Sequence, residues 1–359
     1  MFRKITPATG LPQKRSRGSA GFPQCHNMVE SEGKPDMRIP FNPSIYEHAA
    51  RWAGCSPWEA SRDPEKMFRG HHEAWLAYRH TPIVVGIDIY NLEAEAYGAR
   101  VVAPQGEDSI PAIAEPLFAR LEDALGIAPF DPSRDGRIAM VIGVGRRLQA
   151  ALPEAEVRIP VAGPFSIAIN LLGIETVCAA VAEQPEEARS LLLRLAENQA
   201  GFIQAIREAG LKPAFFESAA APPLISPRQF RAVELPALKR ALEVTREITG
   251  SASPCILGGD TVKILDDLLS TGTNYVVCNV ETDQQRFVDN LCASHPHVNV
   301  RINMDPRIVA CPDPDRIFAE VDRILAIAAG RPNCLMGTGC LPLETPPENI
   351  RLIRQYLAG

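Results

Sequence analysis

Apolar runs of three to six residues alternate with longer helical stretches through most of this chain, and that alternation limits its fold more than any other feature. The runs at 83–87, 157–161, 214–216, 255–257, 275–278, 298–302 and 334–336 are too short for helices, and the segments between them carry apolar residues at helical spacing. Strands of this kind are buried on both faces and pair in parallel through helical crossovers. Their repetition favours a closed α/β barrel of the (β/α)8 TIM type with an N-terminal helical extension. A doubly wound open sheet is the rival, and it would place a glycine-rich phosphate turn after its first strand. The run at 83–87 is followed instead by DIYNLEAEAYG.

The pattern predicts helices at 43–53 and 63–78 before the first strand. Val101 and Val102 read as an extended piece of a hairpin outside the barrel, with helices near 111–125 and 138–152 after it. A single long helix is expected over 185–209, with Pro185 in its first turn and Gly210 at its end. Further helices are expected at 227–248, 261–269 and 314–329, and the last begins at Pro346-Pro347. Residues 1–36 are rich in Gly, Pro, Ser and basic side chains, lack periodicity and read as a disordered tail, which leaves 37–359 as the barrel.

Composition excludes several functions. With 37 basic against 43 acidic residues, a formal charge of −6, and no long Lys/Arg cluster beyond the N-terminal region, nucleic acid is not an expected partner. No apolar run approaches the roughly 18 residues of a membrane span, and the basic N-terminus is not followed by an apolar signal core, so a cytoplasmic protein is expected. The nine cysteines are odd in number and scattered, which suits free thiols.

In a barrel, the loops after the strands form the active face. The strand ends bring Asp88, Ser166, Glu217, Ser218, Asp260, Cys278, Asn279, Asn303, Asp305 and Cys340 to that rim. Asp, Asn and Ser at such places also serve as helix caps and turn residues, and Asp260 before Thr261 fits that role best. No histidine occurs between residues 81 and 294, which argues against a Ser-His-Asp or Cys-His catalytic unit. His71 and His72 read as members of a solvated helical face. Cys255 starts its strand and should lie too deep to act, and no CxxC or HxxxH spacing suggests zinc. Cys340, in the Gly-Thr-Gly-Cys segment read as a tight turn between the last strand and the last helix, is the foremost cysteine.

The segments VVGIDIYNLEAEAYGA, VAGPFSIAINLLG, FFESAAAPPLISPRQF, ILGGDTVKILDDLLSTG, INMDP and GCLPLETPPENI, spread over about residues 38–358, resemble the uroporphyrinogen decarboxylase superfamily. The resemblance implies a (β/α)8 barrel and two activity classes. For the haem-pathway decarboxylase, Asp88 matches the catalytic aspartate and Ser218 the serine of the Phe-Glu-Ser turn. The active-site tyrosine, however, falls on Asn170, the C-terminal histidine on about Gly339, and the arginine-rich N-terminal motif has no counterpart. For the cobalamin-dependent methyltransferases, Cys340 matches the last zinc ligand, while the His-x-Cys element falls on Ile256 and Gly258, which cannot ligate.

The methyltransferase branch is the closer in style. It implies methyl transfer between a small substrate, as methyl donor or acceptor, and a cobalamin (corrinoid) cofactor held by a partner corrinoid protein. Asp88, Glu217, Ser218 and Cys340 would line the pocket, with Asn170, Asp260, Asn279 and Asn303 toward the cofactor. Zinc would be absent, or held by Cys340 with Glu217, Cys278 or Asp88. The alternatives are a lyase using Asp88 on a smaller pyrrolic or aromatic acid, and a non-catalytic tetrapyrrole- or corrinoid-binding barrel. A homodimer is compatible with the resemblance, and nothing in the residues fixes the oligomeric state.

Overall fold

In a computed structural model, the described residues are 39–106 and 110–359, so the tail expected at 1–36 lies outside them. The strands are β1 (Phe41–Ser44), β2 (Ile83–Val84), β3 (Val101–Val102), β4 (Ala112–Ile113), β5 (Val157–Ala162), β6 (Lys212–Glu217), β7 (Cys255–Leu257), β8 (Tyr275–Cys278), β9 (Asn299–Met304) and β10 (Cys334–Cys340). Strands β3 and β4 form an antiparallel hairpin, Val101 opposite Ile113. The others form two parallel four-stranded sheets, ordered β2-β5-β6-β7 and β1-β10-β9-β8. β7 lies against β8, and β1 pairs with β10 in return from the chain's end, so the strands curl round in the order of a TIM-type barrel.

Side chains alternate between two cores, as strand geometry requires. Tyr46, Ile89, Ala214 and Phe216, with Val84, Tyr90 and Ile256, fill the barrel interior. The outward residues, among them Phe215, Val300 and Ile302, join the much larger cluster between strands and helices. Among the described residues no single helix is long and apolar enough to cross a membrane, and the apolar pair Pro164–Leu172 and Ile174–Glu183 is bent by 116°.

Several boundaries differ from the sequence pattern. The segment at 43–53 is not helical throughout: β1 precedes a helix, His48–Ala53, so the helices before β2 follow the first barrel strand. The run at 83–87 pairs only at Ile83 and Val84, because Gly86 adopts φ +134, a left-side conformation that ends the ladder. The helix expected at 111–125 is strand β4 followed by a single turn, Leu121–Ala124. The helix expected at 185–209 divides into Pro185–Asn198 and Ala200–Glu208 at Gln199, whose buried amide donates to the Ala162 carbonyl at 2.7 Å. The helix expected at 227–248 contains a π-helical turn, Phe230–Glu234. His71 is fully buried, not solvated, and accepts from the Gly86 N–H at 3.1 Å.

Candidate active site at the barrel mouth

Strand β10 carries the central group. Its register to β1 runs Phe41 to Met336 and Asn42 to Gly337, then Ser44 to Cys340, so β10 has one residue extra. Such a bulge reverses the alternation beyond it. Leu335 faces the barrel cavity and Gly337 faces Arg301, and the bulge brings Cys340 to the same side. Gly-Thr-Gly-Cys is therefore strand, not a turn. Gly337 is needed because a Cβ there would meet Arg301 Cδ at 2.4 Å and Cγ at 2.6 Å, and one at Gly339 would stand 3.2 Å from Pro306.

Cys340 is an exposed residue, and its Sγ lies 3.7 Å from the Tyr90 hydroxyl. Tyr90 is fixed from behind by Asn170, whose amide donates to its carbonyl at 2.6 Å, and Ser218 flanks its hydroxyl. The rings of Tyr46 and Tyr90 each meet Phe216 edge to face, with centroids 5.8 and 6.2 Å apart. Enclosure by these walls, and the Glu47 carboxylate, push the Cys340 thiol up to about 11. Burial likewise pushes Glu47 up to about 7, so this carboxyl exchanges its proton near neutrality. The mouth thus combines a protonated thiol, two tyrosines, an exposed serine and a carboxyl poised for proton transfer.

Of the residues selected from sequence, Cys340 and Ser218 stand in this mouth. Glu217 does not: on β6 the inward residues are Ala214 and Phe216, and Glu217 points behind the wall. Its carboxylate accepts from Phe165 N and Ser166 N, at 3.1 and 3.0 Å, and from Ser166 Oγ at 2.6 Å, so it caps the helix Pro164–Leu172. A Cβ on Gly163 would fall 1.9 Å from it. Asp88 is sealed by Arg137 and cannot line the pocket in this state.

Asn170 acts on the backbone of Tyr90. Asp260 accepts from Val262 N at 3.2 Å, the turn role its sequence context predicts. Asn279 donates to the Leu257 carbonyl at 2.7 Å and accepts from Asn303 at 3.3 Å, so these two tie neighbouring strands together. Asp305 caps the helix Pro306–Val309. Cys255 and Cys278 are buried in the core.

Tyr46, Glu47, Tyr90 and Arg301 escaped the sequence reading. Tyr46 and Glu47 follow β1, whose strand pattern is interrupted by Pro43. Tyr90 stands two residues beyond Asp88 and could have been found by taking the whole DIY segment to the rim.

The described residues do not fit a zinc site. Among the described residues no group of three or more His, Cys, Asp or Glu side chains converges to hold a metal ion. Ile256 contributes an apolar wall to the barrel interior where a ligand would be required.

A methyltransferase from Methanosarcina mazei superposes with a TM-score of 0.77 at 19% identity, covering 90% of this chain and 94% of that one, which establishes a shared fold. KGPDC from Streptococcus mutans reaches a TM-score of only 0.29 at 11% identity, over 60% of this chain and 92% of that one. No curated protein matches the sequence. The uroporphyrinogen decarboxylase (URO-D) family pattern matches residues 29–357, and the chain belongs to that family.

Proposed function

We propose that the protein is a methyltransferase that moves a methyl group between a small substrate and a corrinoid delivered by a partner protein. The observation that carries this reading is Cys340 at the mouth, 3.7 Å from the Tyr90 hydroxyl, with the charge of Glu47 acting on its thiol and burial pushing the Glu47 carboxyl up to about 7. A methyl acceptor such as a thiol must lose its proton to become nucleophilic, and a carboxyl titrating near neutrality can take it. Glu47 is the base in this reading, and Cys340 and Tyr90 position the reacting group. The exposed Cys340 and Ser218 give a large co-substrate an open face to approach. The fold shared with a methyltransferase is compatible with this branch of the family. A decarboxylase role for Asp88 is disfavoured by its engagement with Arg137.

The test is loss of the visible spectrum of methylcobalamin in the presence of protein and small thiols. Demethylation above the blank, reduced at least about tenfold in Glu47→Gln, is the expected result for loss of a general base. No demethylation, with release of CO2 from a carboxylated pyrrole, would replace this reading by a lyase. A corrinoid spectral shift without turnover would replace it by a binding barrel.

A further inference from the structure

Below the mouth, the barrel holds a partly open cavity of about 290 Å³. Its walls are largely apolar, with Val84, Phe216, Ile256 and Leu335 facing Tyr46 and Tyr275. It reaches Thr81, Pro254 and Asn299 at the N-terminal ends of the strands, and neither Cys340 nor Tyr90 lines it.

Arg301 projects into this space from β9 and is 6% exposed. Among the described residues no hydrogen bond or ion pair is made by its guanidinium, and its Nε has neither solvent nor a partner. The other arginine of the cavity, Arg158, is neutralised: Glu156 lies 2.7 Å from it and the Pro213 carbonyl accepts from it at 2.8 Å. A buried charge without a partner is destabilising, and an apolar side chain of the same size would serve packing better. The chain nevertheless makes room for Arg301, because Gly337 leaves the space through which its side chain passes.

We propose that this cavity binds a small aromatic monocarboxylate, its carboxylate paired with Arg301 and its ring against Phe216 and Ile256. The planar guanidinium fork matches a carboxylate in two parallel hydrogen bonds. The Tyr46 and Tyr275 hydroxyls offer further donors. One unpaired cation in a largely apolar chamber suits a single negative charge better than a phosphate dianion, and the volume is at the small end of ligand pockets. The assignment concerns what the cavity holds and stands whichever reaction the mouth performs.

Calorimetric titration of the full chain with benzoate and with its neutral analogue benzamide tests it. Benzoate should bind at least about tenfold more tightly than benzamide, and Arg301→Met should remove that preference, the loss expected for a charge-assisted hydrogen bond. The variant should fold, with a Tm at or above that of the parent, since it loses an unpaired charge. Should it not fold, Ile256→Trp, which fills the chamber from β7, two strands away from Arg301, must abolish benzoate binding instead. Equal binding of benzoate and benzamide, no binding of benzoate at millimolar concentration, or unchanged benzoate affinity in a folded variant would each overturn the proposal.

Discussion

Arg137 grips both carboxylate oxygens of Asp88, its Nη1 at 2.8 Å from one and its Nη2 at 2.7 Å from the other. The pair is buried, and Arg137 Nε reaches Glu95 at 2.6 Å while Nη1 also donates to the Ser61 carbonyl. This network joins the loop after β2 to the start of the helix Ile138–Ala151. Asp88→Asn should therefore act on stability, because it leaves a buried guanidinium only partly compensated. A loss of about 3 kcal/mol is expected, read from urea unfolding. A drop in activity per folded molecule with an unchanged unfolding midpoint would instead give Asp88 a chemical role.

Two buried carboxyls meet behind the strand wall. Glu217 accepts from three donors, whereas among the described residues Glu234 meets only the Glu217 carboxyl, with which it shares a proton. Burial, and then the charge of Glu217, raise Glu234 well above the usual carboxylate range, so Glu234 holds the proton. A carboxyl raised on folding contributes stability that is present below its unfolded value, near 4.5, and is lost as pH rises toward its folded value. Glu234→Gln lacks that loss. Its stability relative to the parent should rise from pH 5 to pH 8, measured by urea midpoints at both. The buried histidines titrate alike in both proteins and cancel, so parallel pH curves would show that Glu234 is not the proton holder.

The alternation that announces a parallel barrel was legible because each strand buries both faces and so reads as an unbroken apolar run. β1 was not, since FNPS is only four residues long with Pro43 inside it, and its pairing with β10 is a contact across nearly the whole chain. The direction of a strand-end side chain was equally hidden. Glu217 and Cys340 both end strands, yet alternation turns the first outward and a bulge turns the second inward. Register decides between them, and register is set by the partner strand. Arg301 was invisible for a related reason: in VRINMDP nothing marks which of its neighbours would fail to supply a counter-charge.

The raised thiol of Cys340 has a direct readout. At about 11, only a small fraction is thiolate at neutral pH, and the thiolate is the reactive form. Alkylation of Cys340 by iodoacetamide, followed by peptide mass spectrometry, should be slow at pH 7 despite its exposure. The rate should rise about tenfold per pH unit toward pH 10. Glu47→Gln removes a negative neighbour and should speed labelling at fixed pH. Fast labelling at pH 7 that does not increase with pH would mean that the thiol is already ionised.

Gly337 and Arg301 form the most direct steric test of the barrel interior. A methyl group at 337 would meet Arg301 Cδ at 2.4 Å, its Cγ at 2.6 Å and Asn303 Oδ1 at 2.7 Å, all on the adjacent strand. Arg301 lies against the cavity and can swing toward it, but Asn303 is tied to Asn279 and cannot give freely. Gly337→Ala should thus cost about 2 kcal/mol, within the range of overpacked cores. In an Arg301→Ala background the same substitution should cost less, leaving a coupling above about 0.5 kcal/mol in a double-mutant cycle of urea unfolding. Additive costs would mean that Asn303 alone sets the clash, and that Gly337 was not required for the passage of Arg301.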